Sequence, residues 1–221
     1  MGDSFSDCGT SLPSGFIVFI SGVSGAGKTT ISYELLKKFN EFRIIEETDI
    51  IREILRGYNE YIETQYKEKV QFLFEKTEIF DHTKLLNFDE AKKQCELMWK
   101  SFEKIIGRQK RRGISSIING VHIVPEVLNG INGNDNIVFI NLYINSEKEI
   151  FSRLNNREPN SFMLDYIASI FETNVKLYES TEKLFDDRNF IFNNIDVTCL
   201  TIEETINKVV ECIKNKISCD G

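Results

Sequence analysis

The sequence predicts a three-layer α/β fold on a five-stranded parallel sheet, and three observations lead there. Short apolar runs alternate along the chain with stretches of helical periodicity. The first of those runs, Phe16 to Ser21 (FIVFIS), is apolar on both faces, the pattern of a central parallel strand. A glycine-rich segment, GVSGAGKTT, comes directly after it and opens a helical pattern. Strands interleaved with helices imply right-handed crossovers that cover both faces of a parallel sheet.

In chain order, residues 1–14 are small, polar and turn-prone and read as a lead-in. The strand at Phe16–Ser21 precedes a helix over Lys28–Asn40 and a weaker strand at Arg43–Glu46. Helical patterns then cover Thr48–Gly57, Tyr61–Phe80 and Phe88–Arg112 before a third strand at Ile114–Asn119. A fourth strand at Ile137–Ile144, helices at Ser146–Asn156 and Phe162–Lys183, a last strand at Asn189–Phe192 and a helix at Thr201–Lys216 complete the set. The nearly strandless stretch 58–112 carries Phe72, Leu73, Phe102, Ile105 and Ile106 at helical spacing and reads as a helical cap insertion over one end of the sheet. Its aromatics, Trp99 included, read as core. Residues 15–221 thus form one domain with that insertion and a lid-like segment at about 146–160. Arg108, Lys110, Arg111 and Arg112 close a helix just before Gly113, where cations complement the helix dipole.

Charge and cysteine usage narrow the function. Lys and Arg number 27 against 34 Asp and Glu, a net charge of -7, which gives no overall attraction for nucleic acid. The five cysteines, Cys8, Cys95, Cys199, Cys212 and Cys219, are scattered without a metal-binding spacing and read as reduced thiols of a cytoplasmic protein. The run beginning FIVFISGV is too short to cross a membrane, and no basic segment precedes it. Nothing in the sequence indicates the oligomeric state.

Gly22 to Thr29 satisfies GxxxxGK[ST] in the context that the motif requires, after a buried strand and at the start of a helix. Gly22, Gly25 and Gly27 let the backbone fold around phosphates with its N–H groups turned inward, together with Val23, Ser24, Ala26 and Thr30. Lys28 offers a compact cation to the β- and γ-phosphates, and Thr29 a hydroxyl to Mg2+. ATP with Mg2+ is the expected pair.

A phosphate loop alone leaves the acceptor open. The segment ETDIIREILR begins where the second strand ends, at the edge where open parallel sheets bind ligands. On a helix from Thr48, residues Asp49, Arg52 and Arg56 share a face. The carboxylate can accept a hydroxyl proton, and the guanidinium groups can clamp an anionic acceptor. The same positions would also serve as a helix N-terminal charge and a solvated face. Arg153 and Arg157, four residues apart after the fourth strand, read as lid arginines for phosphoryl transfer or as surface arginines bonded to Glu149 and Glu158, with Arg188 a weaker candidate. In NGVHIVPEVL, Gly120 permits a tight turn, His122 reads equally as an acceptor contact or a structural ring, and Pro125 opens a short helix. His82 reads as structural. Asn193, Asn194 and Asp196 come after the last strand, as base contacts or as turn residues.

The phosphate loop, TDIIREILR, the helix FDEAKKQCELMWKSFEKIIGRQKRRG, the string IINGVHIVP and the arginine pair together resemble the 2-phosphoglycerate kinases found among archaea. That resemblance implies ATP as donor, 2-phosphoglycerate as a small phosphorylated acceptor and 2,3-bisphosphoglycerate as product. Where those kinases usually read EGVH, this chain has Asn119, which cannot act as an anionic partner for Mg2+ or as a base. The spacing of Asp49 and Arg52 is similar to that in polynucleotide kinases and zeta-type toxins as well. A kinase of a nucleoside, nucleotide or nucleic-acid end on the same fold is therefore one alternative. A nucleotide-sensing module without catalysis is another.

Overall fold

Strand propensity and crossover geometry together produce a five-stranded, wholly parallel sheet in the order β2-β3-β1-β4-β5. The computed structural model describes residues 11–66, 86–128, 136–185 and 191–219. β1 (Ile17–Ser21) lies at the centre, with all five residues buried, and is flanked by β3 (Ser115–Asn119) and β4 (Ile137–Tyr143). β2 (Phe42–Glu47) and β5 (Phe192–Asp196) form the edges. The last strand therefore begins where Asn189–Phe192 was expected to end. Asn193, Asn194 and Asp196 belong to β5 itself rather than coming after it, because asparagine side chains satisfied by neighbours fit a strand despite their turn preference.

On one side of the sheet, α1 (Lys28–Lys38) rests on β1, β2 and β3 beside α6 (Ile202–Cys219), which covers β4 and β5. On the other, α5 (Ile167–Leu184) packs on β4 and β5 and against α3 (Phe88–Arg112), which also rests on β3. Phe16, Phe19, Phe102, Phe139 and Met98 are among the largest wholly buried side chains at these contacts. Within 58–112, residues 58–65 continue α2 (Thr48–Gln65), and α3 buries Cys95, Met98, Phe102 and Ile106 as core. Phe72, Leu73, His82 and the rest of 67–85 lie outside the described residues, as does Arg188. α2 runs through Gly57, where the sequence suggests a stop, since one helical glycine costs only about 1 kcal/mol.

The helix ends obey their chemistry. Asn87 caps α3 by accepting from the Asp89 N–H at 2.9 Å, and Ser146 caps α4 (Glu147–Arg157) by accepting from Glu149. Lys110, Arg111 and Arg112 close the last turn of α3 before Gly113, which is left-handed at φ 62°. A 3-10 turn at Pro125–Leu128 matches the short helix expected there, and a second at Phe162–Tyr166 leads into α5. Cys95, Cys199, Cys212 and Cys219 are free thiols.

The end of β4 is fixed by one buried amide. Asn174 of α5 accepts from the Ile144 N–H at 3.2 Å and donates to the Ile144 carbonyl at 2.8 Å. Asn174→Ala should leave both backbone groups unpaired, at about 1–3 kcal/mol each, which urea unfolding would read as a lowered midpoint at constant slope.

Candidate active site

The register of the sheet brings the carboxyl ends of three strands together. Asn119 of β3 pairs with Ile20 of β1 and with Glu47 of β2, so Gly22, Thr48 and Gly120 all emerge at one edge. Close backbone approach then selects the residue that leaves each strand. A Cβ on Gly22 would fall 2.7 Å from the Leu142 carbonyl oxygen, and one on Gly120 would fall 1.6 Å from Thr48 Oγ1. Only glycine leaves room at either point. With Gly120 bare, the Thr48 hydroxyl comes within 3.0 Å of His122 Nδ1, in a buried contact that pins the first residue of α2 to the segment after β3.

The phosphate loop turns through Gly25 and Gly27, both at positive φ, and ends in α1. Lys28 is half-buried and donates from Nζ to the Val23 carbonyl at 2.9 Å, across its own loop. Burial pulls its pKa down to about 8, Asp49 raises it in part, and Arg157 lowers it further. Thr29, the expected metal contact, is exposed in the first turn of α1.

Asp49 and Arg52 line one cavity of about 250 Å³ together with Val23 and Ser24 of the phosphate loop. Leu86, Val121, Met163, Ile170 and Thr173 make the rest of its wall. Asp49 is exposed, and its Oδ1 lies 3.5 Å from Arg52 Nη1, whereas the Arg52 side chain is only 9% exposed. Arg56 does not line the cavity. It is held on the outer face of α2 by Glu53, which also binds Arg52.

His122 departs from its expected place. Its side chain is wholly buried, behind the cavity wall rather than in it, because its Nδ1 is engaged with Thr48. Burial, then the charges of Arg52 and Lys28, push its pKa down to about 3, so the ring is neutral at neutral pH. Its Nε2 has no partner among the described residues. The ring therefore positions α2 from behind Asp49. Asn119 faces away from the cavity as well, donating from Nδ2 to Ser32 Oγ at 2.9 Å, and Ser32 in turn donates to the Lys28 carbonyl.

The arginine pair on α4 splits. Arg153 donates to Glu149 and, through Nη2, to the carbonyls of Val197 at 2.7 Å and Thr198 at 3.1 Å, so it ties α4 to the rim after β5. Arg157 is exposed, with a 4.0 Å contact to Met163 Sδ among the described residues, and its charge lowers the Lys28 pKa. Asn194 donates to the Tyr178 carbonyl and to Glu182 and accepts from Asn141, while Asp196 accepts from Thr198. These are internal bonds of the sheet and its rim. Thr48 and Glu53 are site residues that motif spacing does not single out, although both adjoin Asp49 and Arg52 in TDIIRE.

The donor set bears on Mg2+. Among the described residues no group of three His, Cys, Asp or Glu is arranged to hold a metal. One hydroxyl from Thr29 and no carboxylate at Asn119 suit an ion that arrives on nucleotide phosphates, as Mg2+ does.

His122 sets an acid limit. Its folded-state pKa lies below the usual value, so the unfolded chain takes the proton first and stability falls as pH drops from about 6.5 toward 3. The expected slope is up to about 1.4 kcal/mol per pH unit. Urea unfolding at pH 7, 6 and 5 should show the gap between wild type and His122→Gln narrowing with acid.

No protein-family model matches the chain. The 2-phosphoglycerate kinase of Methanococcus vannielii is 30% identical over 145 residues, 60% of this chain and 44% of the relative. That of Pyrococcus horikoshii is 26% identical over 208 residues, 90% of this chain and 64% of the relative. The chain thus spans less than two-thirds of the length of either. The structure of shikimate kinase from Acinetobacter baumannii in complex with shikimate aligns over 92% of this chain and 93% of that one, with a TM-score of 0.51 and 13% identity, a likeness of fold alone. By sequence the chain is similar to 2-phosphoglycerate kinases, and by architecture it has the three-layer α/β fold of P-loop kinases.

Proposed function

We propose that this protein is a cytoplasmic kinase that transfers the γ-phosphoryl group of ATP to the hydroxyl of a small anionic acceptor, 2-phosphoglycerate being the leading candidate. One observation carries the reading: Asp49 and Arg52 line the same cavity as Val23 and Ser24 of the phosphate loop. A donor cradle and an acid–cation pair then face one partly open cavity. The sequence similarity to 2-phosphoglycerate kinases supports the acceptor class. No helix among the described residues is long and apolar enough to cross a membrane.

In this reading residues 15–221 act as one domain with the helical insertion at about 58–112, whose α3 covers a face of the sheet, and a lid-like segment at about 146–160, of which only the part beyond the Arg153 anchor would move. The loop from Gly22 to Thr30 wraps the phosphates with its N–H groups, and Lys28 exchanges the Val23 carbonyl for phosphate oxygens. Mg2+ held by the nucleotide and the Thr29 hydroxyl would neutralise charge on the β- and γ-oxygens. Asp49 accepts the proton of the acceptor hydroxyl, and Arg52 holds the acceptor's anionic group. Arg157 adds positive charge over the transferred group, which suits its influence on Lys28. Arg153 serves by position, holding α4 to the rim. Arg56 and His122 act behind this set, the first through Glu53 and the second through Thr48.

A second reading has support of its own. The wall of Leu86, Val121, Met163 and Ile170 would suit an acceptor with an apolar ring, such as a nucleoside, on the same catalytic groups. Incubating the protein with labelled ATP and a panel of 2-phosphoglycerate, nucleosides and oligonucleotide ends separates the two. Asp49→Asn should lower the transfer rate by a factor of about 100 to 10,000 while nucleotide affinity holds. An unchanged rate would remove Asp49 from the mechanism. Nucleotide binding without transfer to any acceptor, and without hydrolysis, would instead favour a sensing module.

Lys28 supplies a pH signature. Its ammonium form binds phosphate, so affinity for a fluorescent ATP analogue should be level below pH 8 and weaken above it, by up to about tenfold per pH unit. Calorimetry in buffers of different ionisation enthalpy should show proton uptake on binding near pH 8.5. Constant affinity from pH 7 to 9.5 would contradict the assignment.

A further inference from the structure

Glu53 makes more contacts with the arginines than any residue of the cavity does. Arg52 Nε and Nη2 donate to Glu53 Oε1 at 3.1 and 2.9 Å, and Arg56 Nη1 donates to Oε1 and Oε2 at 3.3 and 3.0 Å. The remaining Arg52 nitrogen, Nη1, is the one 3.5 Å from Asp49. Arg52 is buried and lines the cavity, whereas Glu53 is 49% exposed and does not. A half-exposed carboxylate thus grips a buried guanidinium by its Nε–Nη2 edge, leaving the Nη1 end beside Asp49. Burial works to raise the Glu53 carboxyl, but the hydrogen bonds and charges of Arg52 and Arg56 together bring it below the usual range.

We infer that Glu53 is a specificity-determining positioning residue, which aims the Nη1 end of Arg52 at the acceptor and offsets part of its charge, so that the clamp takes a single anionic group. This rests on the reading of the cavity as the acceptor pocket. Two physical effects are combined in one side chain. Holding the guanidinium spares it the rotamer freedom it would otherwise lose when an acceptor binds. Placing a carboxylate on its far edge weakens its attraction for anions, most of all for those carrying several charges.

The two effects separate by substitution. Glu53→Gln keeps an oxygen to accept from Nε and Nη2 but removes the charge, whereas Glu53→Ala removes both. Glu53→Gln keeps the buried Arg52 guanidinium hydrogen-bonded, whereas Glu53→Ala leaves it with Asp49 alone, so urea unfolding of both variants accompanies the assays and Glu53→Gln carries the test if Glu53→Ala is unfolded. With the whole chain, Glu53→Gln should lower the KM for 2-phosphoglycerate about three- to tenfold, with kcat and the KM for ATP unchanged. Glu53→Ala should raise the acceptor KM about fivefold or more. A plain surface ion pair would move neither. Two measurements are independent of turnover. The Arg52 Nε–H resonance should be resolved and slow to exchange with water in wild type and Glu53→Gln, and lost in Glu53→Ala. With Mg2+ and a non-hydrolysable ATP analogue filling the phosphate loop, inorganic phosphate should bind more tightly to Glu53→Gln than to wild type, and more weakly to Glu53→Ala. If wild type does not phosphorylate 2-phosphoglycerate while the resonance and phosphate titrations behave as stated, the acceptor assignment fails and the role of Glu53 stands. Shifts of both variants in one direction, no shift in either, or an unprotected Arg52 Nε–H in wild type would overturn the inference.

Discussion

The placing of α2 beside the phosphate loop depends on the absence of a side chain at Gly120. The first residue of α2 can sit against the end of β3 only because nothing projects there, and Thr48 uses that space to reach His122. The contact sets where α2 begins and in which direction it leaves the sheet. Asp49 and Arg52 lie within its first turns, so their places beside the phosphate loop come from steric packing at one glycine. The hydrogen bond to a neutral imidazole then holds what the packing permits. A charged ring in that position would meet Arg52 and Lys28, and burial already disfavours it.

The electrostatics around the loop describe a site short of negative charge. Lys28, Arg52 and Arg157 converge on a region whose nearby carboxylates are Asp49 and, from outside, Glu53. Lys28 satisfies itself with a backbone carbonyl, and its lowered pKa records the cost of holding a cation among others in a partly buried place. A polyphosphate would reverse each of these effects. Lys28 is held by a neutral carbonyl, a weaker partner than an anion, while Arg52 already has carboxylates in Glu53 and Asp49.

Much of this is legible in the sequence, for identifiable reasons. FIVFIS with GVSGAGKTT behind it announces the central strand, loop and helix because local geometry there needs glycine and a buried strand. α3 matches its expected bounds, Phe88–Arg112, because Asn87 and Gly113 mark its ends chemically. β5 sits further along than expected because FNNID is rich in asparagine, and its amides are made acceptable in a strand by neighbours, Tyr178, Glu182 and Asn141 for Asn194 and the Phe139 and Ile191 carbonyls for Asn193. Nearness to the strand end suggests a place in the cleft for His122, but periodicity does not reveal a ring turned back toward Thr48. Helical spacing groups Arg52 with Arg56 on one face, whereas Arg52 lines the cavity and Arg56 does not. It does not weigh Glu53, which takes up both.

The bonds of Arg153 bear on how the site would move. By gripping the Val197 and Thr198 carbonyls, this side chain fastens the middle of α4 to the far rim of the sheet. Beyond that anchor lie only the last turn of the helix and the turn around Asn160, which stands at φ 71°. Any displacement of Arg157 that left these bonds intact would have to arise in that short stretch. Closure over a nucleotide, in the function proposed above, would then be a local flexing of a few residues, with the body of the domain left at rest.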